Sequence, residues 1–305
     1  MILMNDVIEK IKKMEIGDVE ENVSLTKYTT YHSGGNARCI VYPKTPKTLI
    51  KLISLLRDNN IQYKILGNGS NLLFSDNDYN KVLIKLSKFD NVQFYGKTKV
   101  RVGAGFSLVR LSLMTAKKGL TGLEFASGIP GTVGGAVFMN AGAYKSDMGY
   151  IVESVKVLTP DLKIIKLVNK EMNFHYRSSF LQNNRDYICL EVTLKLRLGK
   201  REAIEQVIKE RRDRRLESQP LEYPSAGSVF RNPQGDFAGR LIEEAGLKGK
   251  KYGGAMISDK HANFIVNYDH AKSSDIKYLI DLAQAEVFEK FGVDLKVEQE
   301  FVNWE

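Results

Sequence analysis

Apolar residues recur along this chain with two different periods, and the changes of period mark out its elements. In "MILMNDVIEKIKKMEIGD" they return every three to four residues, which predicts an amphipathic N-terminal helix. "ARCIVYP" is strand-like. "TPKTLIKLISLLRDNN" then offers Thr45 as N-cap, Pro46 at the first helical position and an apolar stripe behind them. "IQYKILG" and "KVLIKL" follow as strands around a polar turn, so the first third alternates strand, helix and strand.

The middle third holds a strand "TKVRVGAG" and a helix "SLVRLSLMTAKKG" closed by Gly119, then a long glycine-rich stretch. "IVESVKVLT", "LKIIKLV" and "YICLEVTLKLRL" return to period two. From Arg201 a charged helix runs to about Glu217, followed by a short helix "FAGRLIEEAG" and a strand "ANFIVN". A long helix "SSDIKYLIDLAQAEVFEKFG" and a terminal strand "DLKVEQEFV" complete the pattern. The first third therefore predicts an α/β unit, and a boundary falls near residue 200 with about 100 residues of α+β beyond it, enough for a separate core.

At 305 residues the chain suits two or three modest domains. No apolar run is long enough to span a bilayer, and charges interrupt the N-terminal apolar stretch, so a cytoplasmic protein is expected. Cys39 and Cys189 lie in strand-like aliphatic runs and read as buried free thiols. The four histidines, at 32, 175, 261 and 270, lack metal-ligand spacing, so no metal is expected. The formal net charge of +9 could serve nucleic acid, an anionic membrane or phosphorylated small ligands. Its one dense cluster, "ERRDRR" (210–215), sits near a helix end where cations suit the macrodipole, and no nucleic-acid motif accompanies it. Nucleic acid is therefore a minor alternative.

Two glycine-bearing loops carry the first chemical signal. "LGNGSNLLF" puts Gly67-Asn68-Gly69-Ser70-Asn71 directly after a strand, where backbone N–H groups can turn towards an anion; a hairpin turn is the plainer alternative. "GLEFASGIPGTVGGAVFMNAGAY" sets glycines among Ile, Val, Phe and Met, which suits backbone packed on an extended ligand better than a flexible linker. Neither loop is a Walker A or a G-x-G-x-x-G fingerprint. A phosphate-bearing cofactor held by two separate loops fits both, and its identity stays open on chemistry alone.

Arg177, in "FHYRSSFLQ", is either a surface residue or a guanidinium fixed to stabilise negative charge. Ser228, in "SAGSVFRNP", lacks the G-x-S-x-G elbow. A nucleophile, a proton donor, a phosphate ligand and a turn residue all remain open for it. The terminal "DLKVEQEFV" sets Asp294, Lys296, Glu298 and Glu300 on other faces from their neighbours, as a solvated edge strand would.

In this order, "TTYHSGGNA", "LGNGSNLL", "ASGIPGTVGGAVFMNAGAY", "YRSSF", "QPLEYPSAGSVFRNP" and "FAGRLIEEAGLKG" resemble the UDP-N-acetylenolpyruvoylglucosamine reductase family, flavoenzymes of peptidoglycan precursor synthesis. The resemblance covers nearly the whole chain and is closest to the shorter subtype, without an inserted substrate-covering loop. It implies the two-subdomain FAD-binding fold of the vanillyl-alcohol-oxidase/p-cresol-methylhydroxylase type. Subdomains would span 1–92 and 93–200, with an α+β UDP-sugar domain over 201–305. The resemblance also implies small-molecule partners, with neither nucleic acid nor membrane. A monomer is expected.

It implies non-covalent FAD, held by Gly67, Asn68, Gly69, Ser70 and Asn71 and by Ser127, Gly128, Ile129, Pro130, Gly131, Thr132, Gly134 and Gly135. Asn140 and Gly142 would join them. NADPH would reduce the flavin, whose N5 would pass hydride to C3 of the enolpyruvyl ether of UDP-N-acetylglucosamine, giving UDP-N-acetylmuramate. Carried over by motif, Arg177 stabilises the enolate, Ser228 protonates C2 and Glu298 is an acidic partner. Tyr176, Asn232 and His261 fall at substrate positions.

Two departures stand out. Leu295-Lys296-Val297-Glu298 replaces the family's Leu-Glu-Pro-Glu, and Ser218 stands where relatives tend to carry lysine before Gln-Pro. The diphosphate's cation would then come from the cluster Arg211 to Arg215. A different oxidoreductase on the same FAD fold, or a basic nucleotide-binding module without catalysis, ranks below this reading.

Overall fold

The computed structural model describes residues 4–304, so the first residues of the expected N-terminal helix lie outside the described residues. The chain divides into two compact units, neither continuous in sequence. The first gathers residues up to 21 with 39–68 and 81–212; the second gathers 22–38, 69–80 and the chain from 213 onward.

A four-stranded sheet has the order Gly17–Ser24, Asn36–Pro43, Tyr79–Lys85, Tyr63–Leu66. Its last two strands run parallel, with Leu66 opposite Lys85. Helix Pro46–Asp58 begins at the expected cap: the Thr45 hydroxyl accepts from the Thr48 N–H at 3.2 Å. Leu49, Leu52, Ile53 and Leu56, spaced three and four apart, form its buried stripe.

The second sheet of the first unit has five strands, Ile164–Val168, Val152–Leu158, Ile188–Lys195, Lys99–Gly103 and Val92–Tyr95, all antiparallel. One row of side chains crosses it: Leu167, Val155, Val192, Val102 and Val92 stand opposite one another in turn. Cross-strand aliphatic pairs of this kind are what fix a register. Helices Leu108–Lys117 and Val133–Phe138 contribute Leu108, Leu111, Val133 and Val137 to the same core. Cys39 and Cys189 are buried and in no disulfide, and burial pushes the Cys189 thiol up to about 12.

The second unit is built on a small antiparallel sheet of Lys251–Tyr252, Ala255–Ile257 and Ile265–Asn267. Helices Ala238–Glu244 and Ser273–Phe291 supply Leu241, Ile242, Ile276, Leu279 and Ile280 to a core shared with Ile257, Ile265 and Phe230. Strand Leu72–Phe74 pairs in parallel with Glu300–Val302. The strand after the Gly67–Asn71 loop therefore does not return along Tyr63–Leu66, and the loop is no hairpin turn.

The expected terminal strand shortens to Glu300–Val302. Upstream of it the chain finds a different partner, through a single antiparallel bridge between Val297 and Phe230. The alternation persists: Leu295 and Gln299 are buried, Asp294 and Lys296 exposed.

Helix Ser273–Phe291 receives a carboxylate cap from a distant segment. Asp76 accepts from the N–H groups of Ser273 at 2.7 Å and Ser274 at 3.0 Å. Asp76→Ala is expected to lower stability by about 1 kcal/mol, as loss of a helix cap does, measured as an earlier urea midpoint. An unchanged midpoint would show the cap to be inert.

Candidate active site

The two glycine-bearing loops meet within the first unit. Asn68 donates its side-chain amide to the Pro130 carbonyl at 3.1 Å, and a Cβ on Gly67 would lie 3.1 Å from the Thr132 hydroxyl oxygen. Thr132 caps helix Val133–Phe138 by accepting from Gly135 N–H at 3.2 Å. Lys85, at the end of its strand, holds the loop's entry, its ammonium donating to the Gly67 carbonyl at 2.7 Å. Burial pushes the Lys85 pKa down, and the Glu20 charge opposes that shift.

Gly69, Ser70 and Asn71 belong to the second unit. Gly69 has φ +65°, and a Cβ there would lie 2.1 Å from the Tyr28 carbonyl oxygen, so no other residue fits without moving backbone. The Gly69 carbonyl accepts from Thr30 N–H at 3.4 Å. The Thr30 hydroxyl is itself buried without a hydrogen-bond partner among the described residues.

Arg177 sits at a tight turn whose flanks, His175 and Ser178, exchange two backbone hydrogen bonds of 3.1 Å. Its φ of +53° is unusual for a residue with a Cβ, and such strain persists only where surroundings enforce it. Asn140 is one enforcer: its amide donates to the His175 carbonyl at 2.8 Å and accepts from Gly149 N–H at 2.9 Å. Asn140 is buried and also at positive φ. Ser179 adds a 2.7 Å bond to the Phe138 carbonyl. The Tyr176 ring lies 5.0 Å from the Arg177 guanidinium carbon and is half-exposed. Gly142 lies in the strand Gly142–Ala143, paired with Ser146–Asp147 across a turn in which Tyr144 and Lys145 both have positive φ.

In the second unit the structure brings Ser228 and Glu298 onto neighbouring segments. Phe230 bridges Val297; Glu298 N–H donates to the Val229 carbonyl at 2.8 Å, and Arg231 N–H to the Lys296 carbonyl at 2.9 Å. From elsewhere in the unit, the Asn263 carbonyl accepts from Val229 N–H at 2.9 Å, and its side chain both accepts from and donates to Phe230 at 2.9 Å. Asn71 donates to the Glu298 carbonyl at 3.1 Å. Gly227, at φ +74°, makes the bend that leads into Ser228.

Asn232 and His261 both border helix Ala238–Glu244. The Asn232 side chain accepts from Ala238 N–H at 3.1 Å, and a Cβ on Gly239 would lie 3.2 Å from the His261 ring. Burial lowers the His261 pKa, and its Nδ1 accepts from Asn263 N–H at 3.2 Å, which fits a neutral imidazole. Arg177 belongs to the first unit, Ser228 and Glu298 to the second.

A family model described as an FAD binding domain matches residues 37–167, and one described as the UDP-N-acetylenolpyruvoylglucosamine reductase C-terminal domain matches 219–302. The UDP-N-acetylenolpyruvoylglucosamine reductase of Anoxybacillus flavithermus is 44% identical over 299 residues, 98% of this chain and 99% of the relative. The chain belongs to the UDP-N-acetylenolpyruvoylglucosamine reductase family.

The crystal structure of the family's Thermus caldophilus member superposes with a TM-score of 0.80 at 38% identity, covering 93% of this chain and 99% of that one. A glucose dehydrogenase, Phl p 4.0202, matches with a TM-score of 0.50 at 16% identity over 64% of this chain and 44% of its own, a likeness of fold alone. Membership in the reductase family makes this chain an FAD-containing oxidoreductase with an α+β fold. Within the first unit the residues fit that cofactor: the Asn68 amide and the Thr132 hydroxyl lie where the two glycine loops touch.

Lys85, Asn263 and Gln299 are supporting residues that sequence reasoning did not single out. Lys85 only ended an apolar strand, and Asn263 only interrupted one. Gln299 only alternated with Glu298 and Glu300 in the terminal segment.

Proposed function

We propose that the protein reduces the enolpyruvyl ether of UDP-N-acetylglucosamine to UDP-N-acetylmuramate with NADPH, in peptidoglycan precursor synthesis. Family membership over the whole chain carries this reading. FAD, held by the loops at 67–71 and 127–135 and reduced by NADPH, would supply hydride for C3 of the enolpyruvyl group. The residues then have to manage charge and a proton at C2. Arg177, permanently cationic, stabilises the negative charge that spreads over C2 and the carboxylate. Ser228 gives its hydroxyl proton to C2: a C–H bond forms, the O–H bond breaks, and solvent restores the serine. Glu298 is the acidic partner on the segment beside it.

Asn140, which the resemblance gives to FAD, we assign instead to holding the Arg177 turn, because both ends of its amide are engaged by backbone. Tyr176, Asn232 and His261 are assigned to the UDP-sugar. The subdomains are proposed at 1–92 and 93–200, with the UDP-sugar domain over 201–305. On this reading the protein is a cytoplasmic monomer acting on small molecules, and its loss disturbs cell shape and division. Turnover in D₂O tests the chemistry: the product should be reduced and carry one solvent deuterium at C2. A product without deuterium at C2, or substrate recovered unreduced, would refute the reaction.

FAD is held without a covalent bond, so heat or acid should release it into the supernatant; flavin that stays with the precipitate contradicts this. Lys85→Met removes the ammonium that fixes the Gly67 carbonyl while keeping most of the stem. It should weaken FAD rebinding to apoprotein about 10-fold, the loss of one charge-assisted hydrogen bond. Wild-type affinity in that titration would make Lys85 incidental.

A further inference from the structure

We propose that Gln299 is the positioning residue of Ser228; the proposal rests on the assignment of Ser228 as proton donor. Gln299 is 5% exposed and its amide is engaged at both ends. Its carbonyl oxygen accepts from the Tyr31 hydroxyl at 2.9 Å, and Tyr31 is fully buried. Its nitrogen reaches the Ala226 carbonyl at 3.3 Å and the Gly227 carbonyl at 3.4 Å, the two peptide groups that lead into Ser228. The far side of the serine is already held: Asn263 and Glu298 fix Val229 and Phe230 through four hydrogen bonds of 2.8 to 2.9 Å.

The approach side contains Gly227, at φ +74° with nothing within 4 Å of the position a Cβ would take. A glycine in open space is the natural place for the chain to swing, and no side chain of its own resists that. Gln299 supplies the restraint, each contact long and weak alone but the pair spanning the bend. Tyr31 in turn fixes which way the amide faces, since its hydroxyl donates and so selects the oxygen end. A proton donor displaced by about 1 Å can lose two orders of magnitude in rate, so a restraint here bears on chemistry more than on folding.

The test uses the FAD-loaded protein in rapid mixing, with reduction by NADPH and reoxidation by the enolpyruvyl substrate measured separately, and Ser228→Ala run alongside. Gln299→Leu should slow reoxidation about 10-fold or more, with reduction by NADPH and FAD affinity within about twofold of wild type. Gln299→Glu gives an independent readout. Protonated, its carboxyl can accept from Tyr31 and donate to a carbonyl; ionised, it can no longer donate. Reoxidation should then approach the wild-type rate at low pH and fall as pH rises through the new carboxyl's pKa, which burial raises. Other ionisable groups nearby are Tyr31 in contact, Glu298 and Glu300 on the same segment and Arg231 on the paired one, and all four are present in wild type.

Wild-type reoxidation by Gln299→Leu, or a Gln299→Glu pH profile identical to wild type, overturns the proposal. A parallel loss of both half-reactions and of FAD affinity also overturns it, because that is the signature of a general structural role. If Ser228→Ala itself reoxidises normally, the proton-donor assignment has failed, and the failure is identified by that variant.

Discussion

Ser228→Ala is expected to leave reduction by NADPH close to wild type and to slow reoxidation by the enolpyruvyl substrate about 10²–10⁴-fold, the usual contribution of a positioned general acid. Delivery of hydride from NADPH requires no proton donor to carbon, so the first half-reaction is indifferent to the hydroxyl. Completion of the second requires a proton at C2. The serine is well placed to be tested in this way, because its neighbours hold the segment through backbone: Asn263 through Val229 and Phe230, and Glu298 through Val229. None of these bonds uses the Ser228 side chain, so its truncation should leave the fold intact. Ser228→Cys keeps a transferable proton and should recover part of the loss. Stopped-flow traces of each half decide between roles. A structural serine would slow both halves together, and normal reoxidation in the alanine variant would remove Ser228 from the mechanism.

Arg177→Gly should be the second large lesion. The guanidinium is assigned to charge that develops only as hydride adds, and removing one such preorganised donor costs about 10²–10³ in rate. Glycine is the informative replacement. At φ +53° the turn suits glycine, so the backbone clamped by Asn140 and Ser179 should survive while the cation is lost. Alanine would add backbone strain of about 1 kcal/mol and confuse the two effects. The expected result is a fall in kcat for substrate reduction with the melting temperature of the glycine variant near or above that of the alanine variant. Retention of the wild-type kcat by Arg177→Gly would return the residue to the surface.

Much of this architecture is legible in local pattern. Thr45-Pro46 announces a helix start because capping and fixed φ are local physics, and Leu49, Leu52, Ile53 and Leu56 announce its buried face. The valine row of the five-stranded sheet is implicit in the period-two runs, although the order of strands is not. Pairing between distant segments stays hidden. Nothing in "LLF" says that it will lie beside Glu300–Val302, and nothing in "DLKVEQEFV" says that Val297 will bridge Phe230. For the same reason the discontinuous make-up of both units is invisible to a reading that cuts the chain at changes of composition. At the site, Arg177 and Ser228 were marked by their surroundings in sequence. The clamps that hold them, Asn140, Asn263 and Gln299, are ordinary amides whose value comes entirely from which backbone groups the fold brings to them.

The most direct measurement is a visible spectrum of the purified protein under anaerobic conditions, followed through two additions. NADPH should bleach the yellow flavin absorbance, and one equivalent of UDP-N-acetylglucosamine enolpyruvate should restore it. A reduced protein that stays bleached with that substrate, and regains colour only when oxygen is admitted, would contradict the account.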